Sequence, residues 1–226
     1  MKALRKNKKG FTLVEMILSL AIICIIGGVI AGICVAISNS FSTTYNIDDS
    51  TDYAMLYANG FENSFLSKAC GQTGAKDDKW QWSVDPVGNV PCLTISYQDG
   101  TPTPVFEPNF INTKTGSGSD SKWEVRMFYK WDAGSQCVSY KIFIKDNYSR
   151  THFVYMYEGS FWVPRYAERG KQAGVESTRK IYLVDDSDVL EESTFTTTYG
   201  WTDEEFAPIA GQMDSSYRSQ IVYEWG

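Results

Sequence analysis

Chemistry has few places to sit in this 226-residue chain. One acid, Glu15, stands at the mouth of an apolar run in which, from Met16 to Ile37, only Ser19 is clearly polar. A carboxylate at the centre of a bilayer costs about 2.5–3.5 kcal/mol on insertion scales, so this one calls for a cationic partner or a route back to the headgroups. A second acidic group, Asp185-Asp186-Ser187-Asp188 with Glu191-Glu192, holds the carboxylates that a calcium ion wants. It lacks the glycine turn of an EF-hand and reads as a solvated loop. The single histidine, His152, lies inside a strand pattern, where a structural role is expected. The sequence contains no nucleophile elbow, phosphate-binding loop or HExxH, and no CxxC pair for zinc. No catalysis, metal or cofactor is expected.

Glu15 is positioned by what flanks it. Five basic residues (Lys2, Arg5, Lys6, Lys8, Lys9) precede Gly10, and the apolar segment then begins abruptly. At about 1.5 Å per residue, Met16–Ile37 spans the ~30 Å hydrocarbon core of a bilayer. A basic leader with no positive charge close beyond the span puts the N-terminus in the cytoplasm and the body outside. A secretory signal peptide has an apolar region of only about 7–15 residues, so the weak cleavage pattern Cys34-Val35-Ala36 counts for little. Neither Cys24 nor Cys34 follows the small residue that lipid attachment wants. A plain single-pass anchor, with Glu15 snorkelling to the headgroups, would also account for the acid.

Gly10 followed by Phe11-Thr12-Leu13-Val14-Glu15-Met16, behind a short lysine-rich leader, resembles the class III signal of type IV prepilins and type II secretion pseudopilins. The resemblance covers about the first 60 residues. It implies that a prepilin peptidase/methyltransferase cuts after Gly10 and methylates the new N-terminus at Phe11. It also implies that Glu15 serves subunit assembly. Other pilin subunits, an inner-membrane assembly platform and the membrane itself are the partners it implies. The chain would cross the cell membrane once before assembly and then stand in an extracytoplasmic filament. A body larger than a minimal major pilin favours a minor pilin or pseudopilin. The physics is consistent with this: cleavage would expose an ammonium at Phe11, and in staggered parallel helices a neighbour's ammonium can meet the Glu15 carboxylate. Each charge then offsets the other's desolvation, setting register more than adding stability. Gly27, Gly28 and Gly32 allow close helix approach or local loosening. The competing reading is a monomeric surface protein or adhesin on an uncleaved anchor.

The expected fold is α+β and pilin-like: a long N-terminal helix, half transmembrane and half amphipathic, packed on an antiparallel β-sheet. The expected organisation is a leader over 1–10, a transmembrane and assembly helix over 11–37, an amphipathic continuation over 38–70 and a β-rich extracytoplasmic domain over 71–226. In the continuation, Phe41 and Tyr45 and then Ala54, Ala58, Phe61 and Phe65 fall at the spacing of one buried face. Asp48-Asp49-Ser50-Thr51 interrupts that pattern as a kink or a re-capped start, and Cys70-Gly71 ends the helix. Trp123–Trp131 alternates cleanly, turns through Asp132-Ala133-Gly134-Ser135 and continues as Val138–Ile144, which predicts a hairpin. Further strands are expected at Leu93–Tyr97, Thr151–Tyr157, Phe161–Tyr166, Arg179–Val184 and Ile221–Trp225. Gly116–Ser121 and Gly170–Gly174 read as surface loops. Thr202-Asp203-Glu204-Glu205 has capping-box form and predicts a short helix before Pro208.

Losing the five leader cations takes the net charge from −6 to −11, so no nucleic-acid partner is expected. The seven tryptophans could form a sugar platform, but a sheet facing a long helix already needs them. Cys70, Cys92 and Cys137 would face an oxidising exterior, with one disulfide and one leftover thiol. The three pairings are near equal, with Cys70–Cys92 leading because it closes the shortest loop.

Overall fold

The computed structural model describes residues 12–69, 78–87, 90–106, 123–147, 154–163 and 179–225. The predicted loops at 116–121 and 170–174, together with Gly10, Phe11, Cys70, Gly71 and His152, lie outside them. The chain divides into two compact units, Met1–Ile47 and Asp48–Gly226. A single α-helix, α1 (Leu13–Ala69), begins in the first and ends in the second.

In the first unit α1 presents its apolar side chains outwards all round, and Phe41 and Tyr45 are exposed with them rather than buried as their spacing suggested. In the second unit one face of α1 is covered: Ala54, Tyr57, Ala58, Phe61, Phe65 and Ala69 are all buried. The helix assignment continues through the polar run Asp48–Thr51, so no second helix starts there. Asp48 and Asp52 are exposed while Ser50 between them is buried, so the acids simply line the outer side of a continuing helix.

Among the described residues, the second unit also holds two antiparallel sheets. The strands are β1 (Lys79–Val87), β2 (Val90–Tyr97), β3 (Thr103–Pro104), β4 (Trp123–Asp132), β5 (Cys137–Asp146), β6 (Val154–Trp162), β7 (Arg179–Leu183) and β8 (Ile221–Trp225). One sheet runs β3-β2-β1-β8-β7 and the other β4-β5-β6. The predicted β4–β5 hairpin forms in unbroken register from Trp123↔Asp146 to Asp132↔Cys137. Its turn is held by Asp132, whose carboxylate accepts from the Gly134 amide at 2.9 Å and the Ser135 hydroxyl at 2.7 Å. The two sheets are stitched where Tyr129 and Arg218 exchange backbone hydrogen bonds of 2.7 and 2.9 Å.

Phe61 is the hub of the main core. Its ring lies 4.7 Å from Tyr129, 5.5 Å from Phe65, 5.6 Å from both Tyr140 and Phe161 and 6.4 Å from Trp82, so it touches both sheets. Polar tips fix the helix against the strands: Trp82 Nε1 donates to Ser64 at 2.9 Å, and Tyr57 Oη to the Pro91 carbonyl at 2.5 Å. Tyr140 Oη donates to Glu62 at 2.6 Å.

That last contact explains a difference from the sequence reading. Separate strands were expected at Thr151–Tyr157 and Phe161–Tyr166, yet β6 runs unbroken from Val154 to Trp162, with Gly159 paired to Tyr140. The Tyr140 ring crosses directly over Gly159: a Cβ there would stand 2.8 Å from Cε2 and closer still to the hydroxyl. The glycine is thus a site of close side-chain approach inside a strand, not a turn. Gly159→Ala is expected to cost about 1–3 kcal/mol as an overpacking substitution, read by urea unfolding of the detergent-solubilised chain.

The alternation of β4 puts Glu124, Arg126 and Lys130 on the face opposite Val125, Met127 and Tyr129. The segment between β7 and β8 folds back over that charged face. Phe128 and Phe143 are buried there with Leu190, Phe195, Trp201, Phe206, Ile209 and Tyr217 in a second core. The predicted capping box is part of this cover: α2 (Asp203–Phe206) starts with Thr202 bonded reciprocally to Glu205. The charges beneath are paired rather than hydrated. Lys145 lies 3.1 Å from Glu205 and 3.8 Å from Glu124, and Arg126 lies 2.8 Å from Glu124 and 4.0 Å over the Tyr199 ring. Long stems and planar heads let these residues cover apolar surface while keeping polar partners.

Cys92 and Cys137 are free thiols, and Cys70 follows the last described residue of α1. Cys92 packs at the level of Tyr57, whose hydroxyl bonds to the neighbouring Pro91. The expected Cys70–Cys92 bridge has one of its ends, Cys70, outside the described residues.

The tyrosines give the body an alkaline limit. Burial pushes the Tyr57 and Tyr129 hydroxyls well above their usual range. Burial and the bond to Glu62 do the same for Tyr140, and burial with the Glu224 bond raises Tyr182 to about 12. Each raised group binds its proton more tightly when folded. The stability it contributes is therefore complete below the unfolded value near ~10 and is lost as pH rises towards the folded value. Phenolate absorbance is expected to appear together with unfolding above about pH 10–12, rather than to rise non-cooperatively around 10.

Candidate functional site

The site is the N-terminal end of α1. Thr12 is the last residue before the helix and Glu15 stands in its first turn. The Glu15 carboxylate accepts from the Thr12 amide at 2.9 Å and from the Thr12 hydroxyl at 3.0 Å, while the Thr12 hydroxyl oxygen accepts from the Glu15 amide at 3.3 Å. This is a reciprocal capping box, which satisfies two amides that the helix geometry leaves without partners. One turn on, Ser19 Oγ donates to the Glu15 carbonyl at 2.7 Å, so the span's one clearly polar side chain is also satisfied within the helix.

This arrangement does two things to the acid. It holds the carboxylate at the helix mouth, and it supplies hydrogen bonds that lower the cost of an acid at the edge of oil. It supplies no countercharge: after Lys9 the next lysine or arginine in the sequence is Lys68, at the far end of α1.

The helix beyond has no cover of its own. From Leu13 to Ile37 the large apolar side chains are 48–77% exposed. A Cβ added at Gly27, Gly28 or Gly32 would meet nothing within 4 Å, so any close approach these glycines serve is not to this chain's described residues. Cys24 and Cys34 are exposed among the apolar residues.

Of the expected site residues, Glu15 and Cys92 are described, whereas Gly10, Phe11 and Cys70 are not. Thr12 was missed. Its signal was available, because Thr12-Leu13-Val14-Glu15 has the same S/T-x-x-E form that marked Thr202–Glu205.

Residues 5–37 match the prokaryotic N-terminal methylation motif. The matched stretch takes in part of the basic leader, Gly10, Phe11, the Thr12–Glu15 box and the apolar span. The motif supports a type IV pilin-like protein, a prepilin-type structural subunit with pilin subunits and a prepilin peptidase as its general partners. With the apolar helix, it also supports membrane anchoring before assembly. The match ends at Ile37, and the rest of the chain carries no family assignment from it. No curated protein and no solved structure matches the chain.

The motif leaves the body's hollows to be judged on their own chemistry. One, of about 340 Å³, opens beside the π-helical turn Thr194–Thr198 and includes Asp188 and Glu191. Another, of about 180 Å³, lies between β1 and β4 and includes Asp85, Arg126 and Asp188. Their charged groups are already engaged: Asp188 with Tyr199 at 2.7 Å, Asp85 with Thr94 at 2.7 Å and with Ser83, Arg126 with Glu124. Among the described residues, no group of three or more His, Cys, Asp or Glu could hold a metal ion.

Proposed function

We propose that this chain is a minor prepilin or pseudopilin that is cleaved after Gly10, methylated on Phe11 and assembled into an envelope-spanning filament. The observation that carries the reading is the bare apolar helix of the first unit. It is long enough to cross a bilayer, no part of its most apolar window is buried by this chain, and an acid stands capped at its mouth. Lipid covers such a helix in the precursor, and helices of neighbouring subunits cover it in a filament.

Glu15 then has two successive states. In the precursor the capping box holds it. In the filament the ammonium left at a neighbour's Phe11 approaches, and the carboxylate gains the countercharge that its own helix lacks. Because the box already fixes the carboxylate's position, little side-chain freedom remains to be lost on pairing. The acidic body, the absence of any catalytic constellation in the sequence and the satisfied polar groups of the hollows all agree with a structural subunit.

Fractionation tests this reading. Sheared filaments should contain the shortened chain, and cells lacking the peptidase should retain the full-length chain in the membrane fraction. A full-length chain confined to the membrane in both strains would replace the filament with a plain anchor.

A further inference from the structure

Among the described residues, three of the four sheet edges carry a recognisable block to further pairing. The edge at β3 is two residues long and includes Pro104. The edge at β7 has five residues and begins Arg179-Lys180. The edge at β4 is closed at Tyr129 by its backbone pairing with Arg218. Short strands, proline, lysine and covering segments are the devices by which edges avoid adding another strand.

The fourth edge, β6, has none of these. It is nine residues long, contains neither proline nor lysine, and pairs with β5 without a bulge from Cys137↔Trp162 to Lys145↔Val154. Its only charge is Glu158. None of its residues is buried, although half or more of those in β4 and β5 of the same sheet are, and Trp162 is 60% exposed. The direction of its backbone groups follows from one bond. The Val163 amide donates to the Gln136 carbonyl on the β5 side at 2.9 Å, so the amides of Phe161, Gly159, Tyr157 and Tyr155 point the same way. Those of Val154, Met156, Glu158, Ser160 and Trp162 point outwards, and no strand among the described residues meets them.

We propose that the outer edge of β6 takes up an extended strand from a neighbouring subunit of the filament, enlarging the three-stranded sheet by one. Alternating outward N–H and C=O groups are satisfied along their whole length only by another backbone in extended conformation. The incoming strand places a neutral or basic residue opposite Glu158, because a like charge directly across would be repulsive. Two β6 edges pairing with each other would close a dimer and leave nothing to propagate, whereas a different strand of the neighbour makes a head-to-tail contact that continues along a filament. That the partner is a filament neighbour rests on the function proposed above; the open edge does not.

The test uses the full chain in its native envelope, with a photo-crosslinking amino acid in place of Trp162 and, in a second chain, the further change Ser160→Pro. Proline at 160 removes only an outward amide, so pairing with β5 survives. The expected adduct maps to an extended segment in the body of another prepilin-type subunit. It should fall at least about tenfold with Ser160→Pro, the loss that one or two ladder hydrogen bonds account for, while the thermal transition stays put. No polypeptide adduct, an adduct indifferent to Ser160→Pro, or one joining β6 to β6 would overturn the proposal. Should Ser160→Pro fail to fold, hydrogen exchange of the unsubstituted chain decides. The amides of Met156, Glu158, Ser160 and Trp162 should exchange fast in the isolated protein and slowly in the filament fraction; fast exchange in both defeats the idea. Intact mass of the same samples shows whether residues 1–10 are gone, which separates failure of the edge from failure of the filament reading.

Discussion

A Glu15→Ala chain is expected to accumulate in the membrane at normal levels and to be nearly missing from filaments. In the filament proposed above, each Glu15 faces an ammonium that has been taken out of water. Removing the acid leaves that ammonium buried and unpaired, which costs about 3–5 kcal/mol when one partner of a buried pair is deleted. At about 1.4 kcal/mol per decade, incorporation falls by roughly 100-fold to several thousand-fold. Glu15→Gln separates the capping role that the structure shows from the charge pairing proposed for the filament. Glutamine can still accept from the Thr12 amide and hydroxyl at the third helical position, so the capping box survives while the charge is lost. Incorporation of Glu15→Gln should stay close to that of Glu15→Ala. Recovery to near the unsubstituted level would mean that capping, not charge pairing, is what assembly needs.

The second large effect belongs to the body. Phe61→Ala is expected to lower its stability by about 3–5 kcal/mol in a denaturant titration. Small domains have only about 5–15 kcal/mol in all, so this single change removes a large part of the margin. The size follows from position: the ring is fully buried and joins α1 to both sheets, with Trp82 on one side and Tyr129 and Tyr140 on the other. The remaining aromatics are held by neighbours of their own and cannot collapse into the gap. Phe41→Ala, on the same helix but 71% exposed, should shift the transition by no more than about 0.5 kcal/mol. Equal losses at the two positions would show that the helix, not the body, limits unfolding.

What could be read from residues alone was whatever depends on local spacing. The Ala54–Phe65 face, the β4–β5 hairpin with its Asp132 turn and the Thr202 capping box are each encoded in one short continuous stretch, and each forms. What could not be read depends on partners far away in the chain. Phe41 and Tyr45 keep helical spacing with each other, yet both precede the second unit, which begins at Asp48, and both are largely exposed. The charged face of β4 resembles a solvated one because a lysine or arginine looks the same in sequence whether water or a folded-back segment covers its stem. Gly159 reads as a break until the Tyr140 ring is placed over it. At the site itself Glu15 was conspicuous as an acid beside oil, whereas Thr12 passed as one more residue of the run although its pattern with Glu15 is local. The methylation-motif match reaches Ile37 and so supports the helix's role, but it leaves the body to be understood from its own packing.

The most direct measurement is the intact mass of the chain recovered from the envelope, with fragmentation through its N-terminus. The account predicts a protein that starts at Phe11, carries one methyl group on that nitrogen and lacks residues 1–10. A chain that still begins at Met1 in the working filament or membrane would leave Glu15 without the amine it is proposed to meet, and would contradict the account.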